Sequence, residues 1–201
     1  MGTLVMLHGL TGTSDLMRPL AEELCPEGWN LLVPEAPFPH PDRGYGWWLR
    51  SAPPTDPLDA AALAQVDISL AKLCEEISAA APSGPLIVGG FSQGSALAQE
   101  LLQTDLATRI IGVLVLGGKS ARPLELRIRL AELAPRKMLS MHGERDHMVP
   151  LWQGEETALI FEEAGWDTLR LRHEKGHMVN LRQKPSIVSW IQFVAGQYPD
   201  A

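Results

Sequence analysis

Short apolar runs alternate with longer stretches of helical period along the whole chain, the pattern of an α/β protein. Runs at residues 3–7, 30–33, 86–89, 110–116, 137–141 and 168–173 read as strands. Most are continuously apolar rather than alternating, as parallel strands covered on both faces require. Between them, Leu16, Leu20 and Leu24 recur at four-residue steps, and Leu63, Val66, Leu70, Leu73 and Ile77 step by three and four. Ile187, Trp190, Ile191 and Val194 do the same near the end, so each set lays an apolar stripe along a helix. Asp56 before Pro57 reads as an N-cap with a first-turn proline, and Gly165 as a helix stop. One stretch obeys two periods. Leu124, Leu126, Ile128 and Leu130 alternate as in a strand, whereas residues 131–134 favour helix, and helix is the preferred reading.

The elements leave one long irregular segment, residues 34–56, rich in proline around Tyr45, Trp47 and Trp48. Loops of that length in a compact fold often bind ligands, although two tryptophans also serve simply to cover a sheet. The length of 201 residues fits one domain, 1–201. Seventeen basic against 24 acidic side chains give a net charge of −7, which argues against nucleic acid as a partner, because phosphate binding needs clustered cations. Cys25 and Cys74 are too few for a disulfide scaffold and have no metal-ligand spacing; they read as reduced thiols, as expected of a cytoplasmic protein. No metal or cofactor is called for.

Between Glu76 and Glu100 lie 23 residues without a charge, long enough to cross a bilayer. Pro82, Pro85, Gly89, Gly90, Gln93 and Gly94 exclude that reading, since they would leave polar groups unsatisfied in lipid. No integral membrane segment is expected. The window instead contains Gly90-Phe91-Ser92-Gln93-Gly94, a G-x-S-x-G pattern directly after an apolar run. That string is weak evidence alone, but a strand turning sharply into a helix is the setting a nucleophile elbow needs. Ser92 is the candidate nucleophile. A central strand covered on both sides would also exclude charge, which accounts for the window.

A serine needs a base, itself oriented by a third group. The strand at 137–141 runs into His142-Gly143-Glu144-Arg145-Asp146, and that at 168–173 into Glu174-Lys175-Gly176-His177. Asp146 and His177 would then share one edge of a parallel sheet with Ser92. Glu144 competes as the acid, and His147 or His173 as the base; His173 still belongs to its strand and His147 adjoins the acid. For the oxyanion, the backbone N–H of Gln93 follows the nucleophile, and Leu10 N–H lies in the glycine-bearing loop His8-Gly9-Leu10-Thr11-Gly12 after the first strand. The bland alternative there is a glycine turn with His8 held structurally.

At these residues the sequence resembles the phospholipase/carboxylesterase family of α/β-hydrolases, which includes bacterial carboxylesterases and acyl-protein thioesterases. The resemblance rests on Leu7-His8-Gly9-Leu10, Gly90-Phe91-Ser92-Gln93-Gly94, His142-Gly143 with Asp146 and Val149-Pro150, and Gly176-His177; Gly44-Tyr45-Gly46-Trp47-Trp48 is similar to the family's aromatic substrate loop. It implies an α/β-hydrolase fold: a three-layer sandwich with a mostly parallel sheet, here of about six strands because the chain starts on the strand that leads to His8. It also implies a serine esterase acting on acyl esters or thioesters through an acyl-enzyme. Two segments depart from the family pattern, Ser95 after the elbow and residues 117–123.

Only about twenty residues separate the strands ending near Leu116 and starting at Lys137, too few for a cap domain of ordinary size. An open site follows, with Trp47, Trp48, Met148 and Met178, beside Leu10, as candidates for an apolar acyl groove. Carboxylesterase is the leading reading. Lysophospholipase and acyl-protein thioesterase use the same triad, and a non-catalytic ligand-binding hydrolase fold is the rival from another class. The basic residues Lys119, Arg122, Arg127, Arg129, Arg136 and Lys137 read either as a solvated helix face or as an anion contact.

Overall fold

The computed structural model describes residues 1–50 and 52–198. In chain order the elements are β1 (Thr3–Leu7), α1 (Ser14–Leu24), β2 (Asn30–Leu32), β3 (Phe38–Pro39), β4 (Tyr45–Gly46), α2 (Ala60–Ala80), β5 (Leu86–Phe91), α3 (Gln93–Glu100), β6 (Ile110–Leu116), α4 (Pro123–Glu132), β7 (Lys137–Gly143), α5 (Leu151–Glu163), β8 (Asp167–His173) and α6 (Lys184–Gly196). Six strands form one parallel sheet in the order β2-β1-β5-β6-β7-β8. The short strands β3 and β4 form a separate antiparallel pair inside the long loop.

The alternation of side chains along each strand divides the interior in two. Val5, Leu7, Val88, Val113, Val115 and Met138 point to one face, where α2, α3, α4 and α5 cover them. Leu4, Met6, Ile87, Leu114, Leu139 and Met141 point to the other, where α1 and α6 pack. The result is a helix–sheet–helix sandwich. Because all six strands run the same way, every loop after a strand leaves from one edge of the sheet.

Several expected boundaries move. The strand β5 runs on to Phe91 and β7 to Gly143, because ladder pairs Gly90↔Leu7, Phe91↔Leu116 and Gly143↔His173 extend the sheet through glycines that carry no hydropathy signal. Asp56 is not the cap of α2: Asp59 accepts the N–H of Ala62 at 2.8 Å, and the helix begins with the alanines rather than with Pro57. Gly165 does follow the end of α5, with φ +79°. Residues 123–132 are helical, with Leu126 and Leu130 buried four apart, whereas Leu124 and Ile128 are 72% and 66% exposed. The charge-free window is divided among the end of α2, β5 and α3, and no described helix is long and apolar enough to cross a membrane.

The charge that ends this window is itself buried. Glu100, at the end of α3, pairs with Arg122 at 3.0 Å, and Arg122 also binds Asp67 of α2. Burial pushes the Glu100 carboxyl up to about 7 from its ordinary 4.5, against the pull of the Arg122 guanidinium. A raised carboxyl binds its proton more tightly in the folded state, so its contribution to stability falls as pH rises from 4.5 through 7. Glu100→Gln removes this dependence. Relative to wild type, the variant should gain about 2 kcal/mol of stability between pH 5 and pH 8. Urea melts at the two pH values test this, and a pH-independent difference would contradict the buried-carboxyl assignment.

Candidate active site

Ser92 occupies the turn between β5 and α3 with φ 53° and ψ −118°, a conformation that costs an L residue about 1–3 kcal/mol. Its surroundings hold it there. The Ser92 N–H donates to the Leu116 carbonyl at 2.8 Å, and its own carbonyl accepts from Ser95 N at 3.1 Å, Ala96 N at 3.2 Å and Ser95 Oγ at 2.7 Å. The turn is pressed against the end of β1. A Cβ on Gly90 would lie 2.4 Å from the Leu7 carbonyl oxygen, and one on Gly94 would lie 2.4 Å from the carbonyl oxygens of both Leu7 and His8. Neither position has room for any side chain but hydrogen.

His177 comes from the loop after β8 and Asp146 from the loop after β7. The imidazole Nε2 is 2.9 Å from Ser92 Oγ, and Nδ1 is 2.7 Å from Asp146 Oδ2. The second carboxylate oxygen of Asp146 accepts the N–H groups of Met148 and Val149, both at 2.8 Å, which orients the carboxylate. An ionised Asp146 can only accept, so Nδ1 carries the proton and Nε2 is left to accept from the serine hydroxyl. Phe91 packs against the imidazole at 4.8 Å between ring centroids. Of the competing residues, Glu144 and His147 are exposed, and neither meets Ser92. His173 is buried at the end of β8, its two ring nitrogens without partners among the described residues, and burial lowers its pKa. His142 braces the acid loop instead, with Nε2 2.7 Å from the Val149 carbonyl and 3.4 Å from Asp146 Oδ2.

Leu10 and Gln93 line the same cleft as Ser92 and His177, and the backbone N–H of each lacks an acceptor among the described residues. The loop that carries Leu10 is fastened from the proline-rich segment. Thr11 N donates to the Tyr45 carbonyl and Tyr45 N to the Gly12 carbonyl, each at 2.9 Å. His8 is buried between the Gly9 carbonyl, 2.8 Å from Nδ1, and Glu35, whose Oε1 is 2.8 Å from Nε2; burial lowers the pKa of its ring. The Gln93 side chain completes the fastening by accepting the Trp47 N–H and donating to the Trp48 carbonyl, both at 2.8 Å. From the sequence, only the Gln93 backbone is expected here. Its buried carboxamide, like the packing of Phe91 on His177, has no sequence signature.

The cleft over Ser92 measures about 520 Å³ and is largely apolar, with Leu10, Trp48, Phe91, Met148 and Val149 among its walls. Two expectations about it fail. Trp47 is 1% exposed and does not line the cleft; its Nε1–H donates to the His8 carbonyl at 2.8 Å, so the ring serves the loop rather than the acyl group. Met178 is 43% exposed and likewise lies outside the lining. Most of the basic segment is neutralised within the fold. Arg122 meets Glu100 and Asp67, Arg127 meets Glu163, Arg129 meets Glu132, Lys137 meets Asp167, and Arg136 caps the Ala107 and Ile110 carbonyls. Lys119 alone of the six lines the cleft.

Comparison with solved structures places this fold beside esterases and thioesterases. Arabidopsis thaliana SOBER1 is 24% identical, with a TM-score of 0.75 over 96% of this chain and 99% of that one. Zea mays acyl-protein thioesterase 2 is 21% identical with a TM-score of 0.76, covering 96% of this chain and 93% of that one. The Bacillus cereus carboxylesterase is 18% identical with a TM-score of 0.77, over 96% and 88% respectively. No functionally curated protein matches the sequence. The model of the phospholipase/carboxylesterase family matches residues 1–194, and the chain therefore belongs to that family of α/β-hydrolases.

Proposed function

We propose that the protein is a serine hydrolase that cleaves carboxylic esters through an acyl-enzyme, with Ser92, His177 and Asp146 as its triad. The observation that carries the proposal is the imidazole of His177, suspended between Ser92 Oγ at 2.9 Å and Asp146 Oδ2 at 2.7 Å. As Ser92 Oγ attacks the acyl carbonyl, its proton passes to His177 Nε2, and Asp146 stabilises the resulting imidazolium. The free N–H groups of Leu10 and Gln93 receive the oxyanion. His177 then returns the proton to the departing alkoxide. Water attacks the acyl-enzyme by the same sequence in reverse roles, releasing the acid and Ser92. Membership of the family and an apolar cleft support small acyl esters as substrates. The thioester and lysophospholipid readings use the same groups and differ only in the leaving group.

The non-catalytic reading is tested by labelling. A fluorophosphonate should modify the wild-type protein and leave Ser92→Ala unlabelled, and turnover of an aryl ester should fall at least about 10³-fold in that variant. Ester turnover persisting at wild-type rate would remove Ser92 from the mechanism.

The acid and the base have their own tests. In Asp146→Asn the carboxamide can present its NH₂ to Nδ1 and so favour the tautomer with a proton on Nε2, which cannot accept from Ser92. The expected loss in kcat is about 10⁴-fold with KM little changed. His177→Ala should abolish turnover, whereas folded His173→Ala should keep it within about tenfold, since His173 acts only through packing at the end of β8. Equal losses in both would mean the base is misassigned.

A further inference from the structure

The protein is acidic, yet its cleft is not. Arg43, Arg50 and Lys119 all line the space over Ser92, and among the described residues no aspartate or glutamate does. Among the described residues, neither Arg50 nor Lys119 has a carboxylate within 4.0 Å. Arg50 is held by neutral acceptors instead: Nε donates to the Ala52 carbonyl at 2.9 Å, Nη1 to Pro54 at 3.4 Å, and Nη2 to Pro53 and Asp56. Those bonds fix the guanidinium and leave its charge uncompensated at contact distance. Lys119 has three donors and no hydrogen-bonded partner among the described residues, so it has the hydrogen-bonding capacity to receive an anion.

The backbone that presents Lys119 is fixed from below by the elbow. A Cβ on Gly118 would lie 1.9 Å from Ser95 Oγ and 2.8 Å from the Ser92 carbonyl oxygen, so the loop after β6 packs directly on the turn. The Gln99 carboxamide donates to the Lys119 carbonyl at 3.5 Å, and Ser120 N donates to Thr157 Oγ1 at 2.9 Å. Burial lowers the Lys119 pKa and the Arg50 charge lowers it further, while Asp56 and Glu156 act the other way. Two cations sharing a partly buried wall repel each other, and a bound anion relieves that repulsion.

Resting on the esterase reading, we infer that Lys119, supported by the field of Arg50, recognises a carboxylate on the substrate, so that the preferred esters are anionic ones. Both side chains also border a second cleft of about 370 Å³, but Asp56 and Glu156 line that one. The anion therefore belongs on the Ser92 side. The carboxylate has two places to sit, on the acyl part or on the leaving group, and the recognising chemistry is the same.

Two matched substrate pairs separate these cases: monomethyl adipate against methyl hexanoate, and 4-butyryloxybenzoate against phenyl butyrate. In at least one pair, kcat/KM for the charged ester should exceed that of its neutral partner by about tenfold, the scale of one hydrogen bond to a charged group. That ratio should collapse toward one in Lys119→Met, fall below one in Lys119→Glu, and shrink as salt rises from 0.02 to about 0.5 M. Melting curves establish that both variants are folded. Ratios at or below one in both pairs, or a preference that survives Lys119→Met, would overturn the inference while Ser92-dependent turnover of phenyl butyrate left the esterase reading intact. Absence of turnover on all four esters would remove both.

Discussion

Everything at the upper edge of the sheet depends on one backbone contact, the approach of the Ser92 turn to the end of β1. With hydrogens in place of side chains at Gly90 and Gly94, the turn sits against the carbonyls of Leu7 and His8. This seats the start of α3 beneath the loop that carries Leu10. It also compels Ser92 into its unfavourable φ, a strain that the bonds to Leu116, Ser95 and Ala96 and the buried strands on either side sustain. A methyl group at either glycine would push the two segments apart and displace both proposed oxyanion donors together. Geometry at this level is what separates a reactive serine from one that merely caps a helix.

Around that contact the fold builds a frame rather than a lid. The proline-rich segment, which in sequence has the character of a substrate loop, acts mainly as a strap: Tyr45 of β4 pins the loop at Thr11 and Gly12, Trp47 holds His8, and the Gln93 carboxamide ties the strap to the elbow helix. Only Trp48 of the aromatic pair turns a face to the cleft. Between Leu116 and Lys137 the chain carries α4 and no larger insertion. The cleft consequently stays open, and its selectivity must come from the few side chains around its rim. Two segments interlock there, since Ser95 bonds the Ser92 carbonyl and leaves space beside it only for Gly118, whose neighbour is Lys119.

The charge distribution follows the same division of labour. Several carboxylates and guanidiniums outside the cleft neutralise one another, as Arg122 does with Glu100 and Asp67 between α2, α3 and α4. Inside it, the cations have no such partners at contact distance among the described residues. The net charge of the chain thus says little about the field a substrate meets, because the described carboxylates lie outside the cleft lining and leave a local excess of opposite sign there.

The sequence by itself determined the α/β layering, the six principal strands, and the order of the candidate serine, acid and histidine, because hydropathy period and glycine spacing are local properties of the chain. It also favoured His177 as the candidate base, since His173 lies within strand periodicity and His147 adjoins the candidate acid. Other features were legible only in three dimensions. Whether residues 123–132 are strand or helix turned on which leucines find a core, and Leu126 and Leu130 do so only at helical spacing. The placement of Trp47 under the loop, the role of the Gln93 side chain and the isolation of Lys119 each depend on residues between about 20 and 46 positions away in the chain. Such contacts carry no period and no motif; they exist only once the sheet has brought the ends of its strands together.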